Sequence, residues 1–197
     1  MASRYCSHDC SSCSDHCCSS SGHHPCSSHS GCSCSSHAKS DDGFATFNGN
    51  AQLHHRTFAN LIVNGAAMVE KIVVKDKFVV NGALNADKLE GNNLRVNGAA
   101  VLKDSSLAGL TSISGVLQAE KTNFADILLS SEVGEFTTCT IKKITVRPVE
   151  HVKTQKIVLS TSTVEGDIIF EKEGGQVILK DGAKLIGAVV GGTLQKH

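Results

Sequence analysis

The sequence predicts an all-β protein: a single-stranded parallel β-helix, or β-solenoid, of about 16–17 residues per coil with a disordered N-terminal tail. Three observations lead to this prediction. A glycine recurs at a fixed short interval, an inward–outward alternation of residues continues through that glycine, and the composition changes abruptly near residue 43. The predicted parts are therefore a tail, 1–43, and a solenoid, 44–197.

The recurring glycine closes short apolar phrases such as LIVNGAAMV, FVVNGALNA and LRVNGAAVL. It occupies positions Gly49, Gly65, Gly82, Gly98 and Gly115, with successive gaps of 16, 17, 16 and 17 residues. A fixed short period is the sequence signature of a solenoid, and about 150 residues at this period make about nine coils. With strands stacked about 4.8 Å apart, the rod is about 45 Å long.

Asn-Gly between apolar runs is also the usual signal of a β-hairpin turn. A two-residue hairpin turn would break the alternation, because the residues that flank it pair on the same face. Around Gly115 the alternation continues, with Ile113 and Leu117 inside and Ser114 and Gln118 outside. The sequence therefore favours a strand that bends at Asn-Gly. The other inward positions in this register are Phe47, Ala51, Leu53, Val80, Leu84, Ala86, Val96, Ala100, Leu102 and Ala119.

A second corner is indicated between the phrases, where a large apolar residue is followed within two residues by Asn, Gly or Asp. These inward residues are Phe58, Leu89, Leu107 and Phe124. Each coil thus has at least two faces. The asparagines before the glycines, Asn48, Asn64, Asn81 and Asn97, have two interpretations: a ladder of bonded amides along the rod, or residues that merely tolerate the turn.

After Ser130 the alternation persists but Asn-Gly disappears. Pro148 is the one proline of the solenoid, and we expect it at a corner or edge. Cys139 is expected to be a small buried hydrophobic residue. His54, His55 and His151 are expected on the surface. The basic segment KKITVRPVEHVKTQK could bind acidic lipid or a partner, but a solvated face is the simpler interpretation.

The tail holds eight of the nine cysteines, six of the ten histidines and fifteen serines, with almost no aliphatic residues. Such a segment cannot bury enough apolar surface to fold unless something crosslinks it. Thiolate and imidazole are ligands that zinc prefers, and fourteen of them could hold about three zinc ions. Disulfides or lipidation of the cysteines are the alternatives. The candidate ligands are Cys6, His8, Cys10, Cys13, His16, Cys17, Cys18, His23, His24, Cys26, His29, Cys32, Cys34 and His37.

Val/Ile-Asn/Ser-Gly phrases at this period, few aromatic residues and a flexible flank resemble the bactofilins, over residues 44–197. The resemblance implies a right-handed β-helix and a cytoskeletal protein that polymerises end to end without nucleotide. The Cys/His tail and the loosening of the period after Ser130 depart from that pattern.

The leading hypothesis is a non-enzymatic, self-associating structural protein whose tail binds metal or tethers the rod to a membrane. The neutral net charge gives no indication of nucleic-acid binding. The alternatives are a secreted or surface adhesin that binds through its lateral faces, and a polysaccharide-active β-helix enzyme. Grooves of such enzymes usually cluster acidic and aromatic residues, which are few here. The candidate self-association residues are Phe44, Phe47, Leu185, Ile186, Val189, Val190 and Leu194.

Location is predicted from the N-terminus, MASRYCSHDC, which lacks the apolar core of a signal peptide. No apolar run approaches the 18 residues of a transmembrane helix. A cytoplasmic protein is the default expectation, and export by a route that needs no N-terminal signal is the alternative.

Overall fold

The computed structural model describes residues 43–197, and within them there are strands and no helix. All strand pairs between different elements are parallel, and they build a β-solenoid of about nine turns. The all-β solenoid predicted from the sequence is confirmed. The strands are β1 (Phe44–Asn48), β2 (Ala51–Asn97), β3 (Ala100–Lys103), β4 (Ser106–Ser114), β5 (Leu117–Glu120), β6 (Asn123–Ser130), β7 (Val133–Thr137), β8 (Thr140–Val146), β9 (Lys156–Ser160), β10 (Thr163–Val164), β11 (Ile168–Phe170), β12 (Gly175–Lys180), β13 (Lys184–Leu185), β14 (Val189–Val190) and β15 (Gly192–Lys196).

Each coil has three faces, one more than the minimum that the sequence predicted. Along the chain, face A begins with β1 and ends with β14, face B begins with residues 51–54 and ends with β15, and face C begins with residues 56–58 and ends with β13. Strand β2 is long because it runs through several coils without a break, bending at each corner. The pattern of side-by-side parallel strands satisfies the backbone groups of every interior coil.

The corner between faces A and B contains the recurring glycine. Gly65, Gly82, Gly98 and Gly115 have φ between +134° and +143°, a region that residues with a Cβ rarely adopt. A Cβ on Gly82 would overlap the carbonyl oxygen of Gly65 in the coil before it. Glycine is therefore required here twice, for its backbone conformation and for the close approach of the neighbouring coil.

The corner between faces B and C uses residues other than glycine in the left-handed region. His55, Lys71, Lys88, Asp104 and Lys121 have φ of 45° to 54°, and the same position continues in later coils at Thr138, Thr161 and Asp181. Such a conformation costs about 1–2 kcal/mol for a residue with a Cβ. It recurs because each of these residues turns the chain so that the next side chain points into the core.

The core is a column of aliphatic and phenylalanine side chains inside the three faces. The inward positions predicted at Leu84, Val96, Leu102 and Leu117 are all buried, and so are Phe58, Leu89, Leu107 and Phe124 before the third corner. The outward Gln118 is exposed. The register derived from the sequence is thus confirmed, and the hairpin alternative is excluded by the parallel pairing.

The later coils are longer. Leu117 and Gly134, which pair, are 17 residues apart, whereas the next pair, Gly134 and Ile157, is separated by 23. The additional residues lie between β8 and β9, at the corner between faces A and B, and include Pro148. Gln155 fixes the base of this loop, because its Nε2 donates to the carbonyl oxygens of Ser131 (2.7 Å) and Arg147 (2.8 Å). Pro148 lies at a corner, as predicted.

Candidate functional site

The C-terminal end of the described rod exposes apolar side chains. Ile186 is 71% exposed, Val190 49% and Leu194 42%. Leu185 and Val189 are half-buried and pack against the core from the last coils. Strands β13, β14 and β15 each pair with one strand only, so their outer edges have no partner among residues 43–197. Unpaired strand edges beside exposed apolar groups are a surface that favours association.

The N-terminal end of the solenoid differs from the C-terminal end. Phe44 is 67% exposed, but the inward residues Ala51, Leu53 and Phe58 of the same coil are buried. Phe47 is half-buried against the core. Arg56 stands in the column where the next coils have Ile72 and Leu89, so a charged residue begins a column that is otherwise apolar. The structure thus places the predicted self-association residues on the two end coils, and it separates them into two unlike surfaces.

A ladder of asparagine amides runs along the edge of face A. Asn64 Nδ2 donates to Asn48 Oδ1 (2.9 Å), Asn81 Nδ2 to Asn64 Oδ1 (2.8 Å), and Asn97 Nδ2 to Asn81 Oδ1 (2.7 Å). Of the two interpretations that the sequence left open, the hydrogen-bonded ladder is therefore correct. Serines occupy the same position in the next two coils, Ser114 and Ser130, and the ladder ends there.

Beside the end of this ladder, face A carries a groove of about 480 Å³. Ser112, Ser114 and Ser130 form part of its lining, and Arg95 and Arg147 also contribute. Arg147 Nε lies 3.6 Å from Glu171 Oε1 in an exposed ion pair, which contributes little to stability. The groove is open at the side of the rod, and it is the surface on which the lateral-binding hypothesis depends.

A buried polar ladder lies at the corner between faces B and C, and sequence reasoning missed it. Ser105, Thr122 and Ser162 are at most 3% exposed, and each hydroxyl donates to the carbonyl oxygen two residues earlier at 2.7–2.9 Å. Ser162 Oγ also accepts from Cys139 N at 2.9 Å. The signal was available: each of these residues directly follows the left-handed corner residue at the coil period.

Cys139 belongs to the same ladder. Its Sγ lies 3.3 Å from the Thr137 carbonyl oxygen, the contact that the hydroxyls make in other coils. It is 2% exposed, and burial raises the pKa of its thiol from an ordinary 9.0 to about 11. The thiol is therefore protonated at neutral pH and a poor nucleophile, which agrees with the structural role predicted for it.

The three predicted surface histidines are exposed, as expected. His54 Nδ1 lies 3.3 Å from Glu70 Oε2 in the next coil, and His151 lies in the loop between β8 and β9. The lysines of the basic segment, such as Lys142, Lys143 and Lys153, are also exposed. These residues do not converge on one site.

The fourteen predicted zinc ligands, Cys6 to His37, lie outside the described residues. Within residues 43–197, no three His, Cys, Asp or Glu side chains are grouped so that they could hold a metal ion. The same part of the chain also contains no helix of the length and apolarity needed to cross a membrane.

Comparison of this chain with protein-family models, with curated proteins and with solved structures gives no match. The resemblance to bactofilins therefore depends on residue pattern and on the β-solenoid itself. A shared solenoid does not define a function, so the function must be argued from the surfaces.

Proposed function

We propose that this protein is a non-enzymatic structural protein, a bactofilin-like β-solenoid that self-associates through the ends of its rod. The observation that carries the proposal is the distribution of exposed apolar side chains. Seven large hydrophobic residues of the described chain are exposed, and four of them, Phe44, Ile186, Val190 and Leu194, are at the ends. The other three, Met68, Leu110 and Val116, are dispersed over the sides.

The fold supports this role in a second way. A solenoid coil is stabilised by the coils on both of its sides, and end coils usually carry polar caps that keep the rod soluble. The last coil has Val189, Val190 and Leu194 in that place, and its strand edges are unpaired among the described residues. Contact with another copy would bury these side chains and satisfy the edge backbone groups.

The test compares the size of the wild-type protein with that of two double variants. Ile186→Lys with Val190→Lys places like charges at the end, and both positions are exposed, so the rod should stay folded. Met68→Lys with Val116→Lys is the matched control, because these residues are 49% and 56% exposed but lie on the sides. We expect wild type and control to form dimers or filaments in sedimentation and electron microscopy, and the end variant to be monomeric.

A wild-type protein that stays monomeric at high concentration, in low and physiological salt, would contradict the proposal. That outcome would favour a protein that binds through its lateral faces.

The tail would serve as the metal-binding or tethering segment of this scaffold. We expect about two to four zinc ions per full-length chain under reducing conditions. Replacement of Cys10, Cys13 and Cys17 by serine should lower that number, measured by elemental analysis. A metal-free wild-type protein from zinc-rich medium would leave disulfide or lipid chemistry for these cysteines.

A further inference from the structure

We propose that the joint between two copies is head to tail, with the C-terminal end of one rod seated on the N-terminal end of the next. This inference depends on the end-to-end association proposed above and assigns its direction. It comes from the columns of inward residues that run along the rod, since a column that continues across the joint must fit in size.

The first column of face A begins at Ala45 and ends at Val189. It is traced by the pairs of Ala45 with Leu61 and, at the other end, of Ile168 with Val189. The second column of face A begins at Phe47, which pairs with Val63. Continued across a head-to-tail joint, the first column places the large Val189 above the small Ala45.

The second column ends in glycine. Val146 pairs with Phe170, and Gly191 comes next, directly above the Phe170 backbone, where a Cβ would overlap the Phe170 carbonyl oxygen. Phe170 is nearly buried beneath Gly191 and Gly192. The C-terminal end therefore has a depression without side chains at the position where the next copy would present Phe47.

Face B shows the same alternation of size. Its column begins at Ala51 and ends at Leu194, which pairs with Val177. Leu194 is 42% exposed, and a head-to-tail joint would place it on the small Ala51. At three inward positions, a large residue at one end thus meets a small one at the other: Val189 with Ala45, Phe47 with Gly191, and Leu194 with Ala51.

The neighbouring inward position joins Leu53 with Lys196, which pairs with Leu179 in its own rod. The aliphatic stem of a lysine can cover an apolar surface while its ammonium group stays in water. The joint uses faces A and B, on which the last coil has the strands β14 and β15.

The backbone at Gly49 agrees with this arrangement. At Gly65, Gly82, Gly98 and Gly115, the space beside the α-carbon is filled by the carbonyl of the preceding glycine, whereas at Gly49 nothing lies within 4 Å of a Cβ position. In the joint, the backbone of Gly191 and Gly192 occupies this space. The strands would also stay parallel, as all strand pairs between elements in the rod are. Two identical ends would bring antiparallel strands together and would not continue the columns.

A head-to-tail joint repeats without closing, so it generates an open filament with a direction. It also makes a specific prediction for mixtures of chains that are blocked at opposite ends. In one full-length variant the C-terminal end is blocked by Val190→Lys and Leu194→Lys. In the other the N-terminal end is blocked by Phe44→Lys and Thr46→Lys, since Thr46 lies in the outward column that ends at Val190.

The expected result in analytical ultracentrifugation is that each variant alone is monomeric and that the equimolar mixture is a heterodimer. The mixture stops at two chains because only one compatible pair of ends remains. The opposite result, homodimers of either variant alone and no heterodimer in the mixture, would overturn the head-to-tail joint in favour of joints between identical ends.

A monomeric wild type would contradict the end-to-end function itself, and it is measured separately. Circular dichroism of both variants shows whether each one is folded. A heterodimer that is lost when the unblocked Phe47 is replaced by alanine would place the phenylalanine in the joint, and a heterodimer unaffected by Phe47→Ala would contradict the fit to the Gly191 depression.

Discussion

The corner between faces A and B is built in two ways within one solenoid. From Gly49 to Gly115 it is an Asn-Gly pair held by the amide ladder and by glycine backbones in close contact. In the later coils a loop joins β8 to β9, and residues 171–174 join β11 to β12. Strand pairing is nevertheless preserved, because Val146 in β8 still pairs with Phe170 in β11. The comparison teaches that glycine contact sets the coil length, whereas the core sets the strand register.

The largest expected effect tests whether the two regions share one core. Leu117→Asp in the regular region and Leu159→Asp in the irregular region each bury an unpaired charge at a position with no solvent exposure. We expect either change to cost more than about 4 kcal/mol and to unfold the whole rod. Circular dichroism with chemical denaturation measures this.

The outward Gln118→Asp is the control for these variants and should change stability by no more than about 0.5 kcal/mol. If Leu159→Asp leaves the regular coils folded, with about half of the strand signal, the two regions are separate cooperative units and the single-core view is wrong.

The second prediction separates backbone conformation from coil contact at glycine. Gly82→Ala combines a φ of +142° with overlap on the Gly65 carbonyl oxygen, so we expect a loss of at least about 3 kcal/mol. Gly49 and Gly182 also have positive φ but open space around a Cβ, and alanine there should cost about 1–2 kcal/mol. Equal losses at all three positions, measured by thermal unfolding, would show that close contact does not set the coil length.

Much of this could be predicted from the sequence, because period and alternation report directly on stacking and burial. The inward positions of the regular coils, such as Leu84 and Val96, followed from parity alone. The third face could not be predicted in the same way, because its corner uses left-handed Lys, Asp and Thr residues, which have no turn signature like that of glycine. The Ser105–Thr122–Cys139–Ser162 ladder was missed because small polar residues usually indicate surface.

The end surfaces were predicted in part. Apolar residues near position 190 are evident in the sequence, so Ile186, Val190 and Leu194 could be assigned to an end. Their pairing with Ala45, Phe47 and Ala51 could not, because the longer coils after Ser130 shift the period by several residues and hide which columns continue. Only the strand register of the folded chain aligns the two ends.

The third prediction concerns the corner between faces B and C, where the thiol of Cys139 replaces a hydroxyl. Burial raises its pKa from 9.0 to about 11, so the unfolded chain loses this proton at lower pH than the folded chain. Stability from this group is complete below about pH 9 and falls by about 1.4 kcal/mol per pH unit between 9 and 11. Cys139→Ser, which places the hydroxyl of Ser105 and Ser162 at this position, should flatten that fall. Identical pH profiles of the two proteins in urea denaturation would contradict this assignment.

The smallest expected effect tests the amide ladder that distinguishes the regular corners. Asn81 is an interior member, because its amide donates to Asn64 and accepts from Asn97. Asn81→Ala removes both bonds, and since the ladder is exposed we expect a loss of about 1 kcal/mol, or about 2–4 °C in Tm. Asn85→Ala is the matched control, an exposed asparagine on face B outside the ladder, and it should leave Tm unchanged. If both variants melt like wild type, the ladder follows from the glycine contact and adds nothing of its own, and glycine alone distinguishes the regular coils from the later ones.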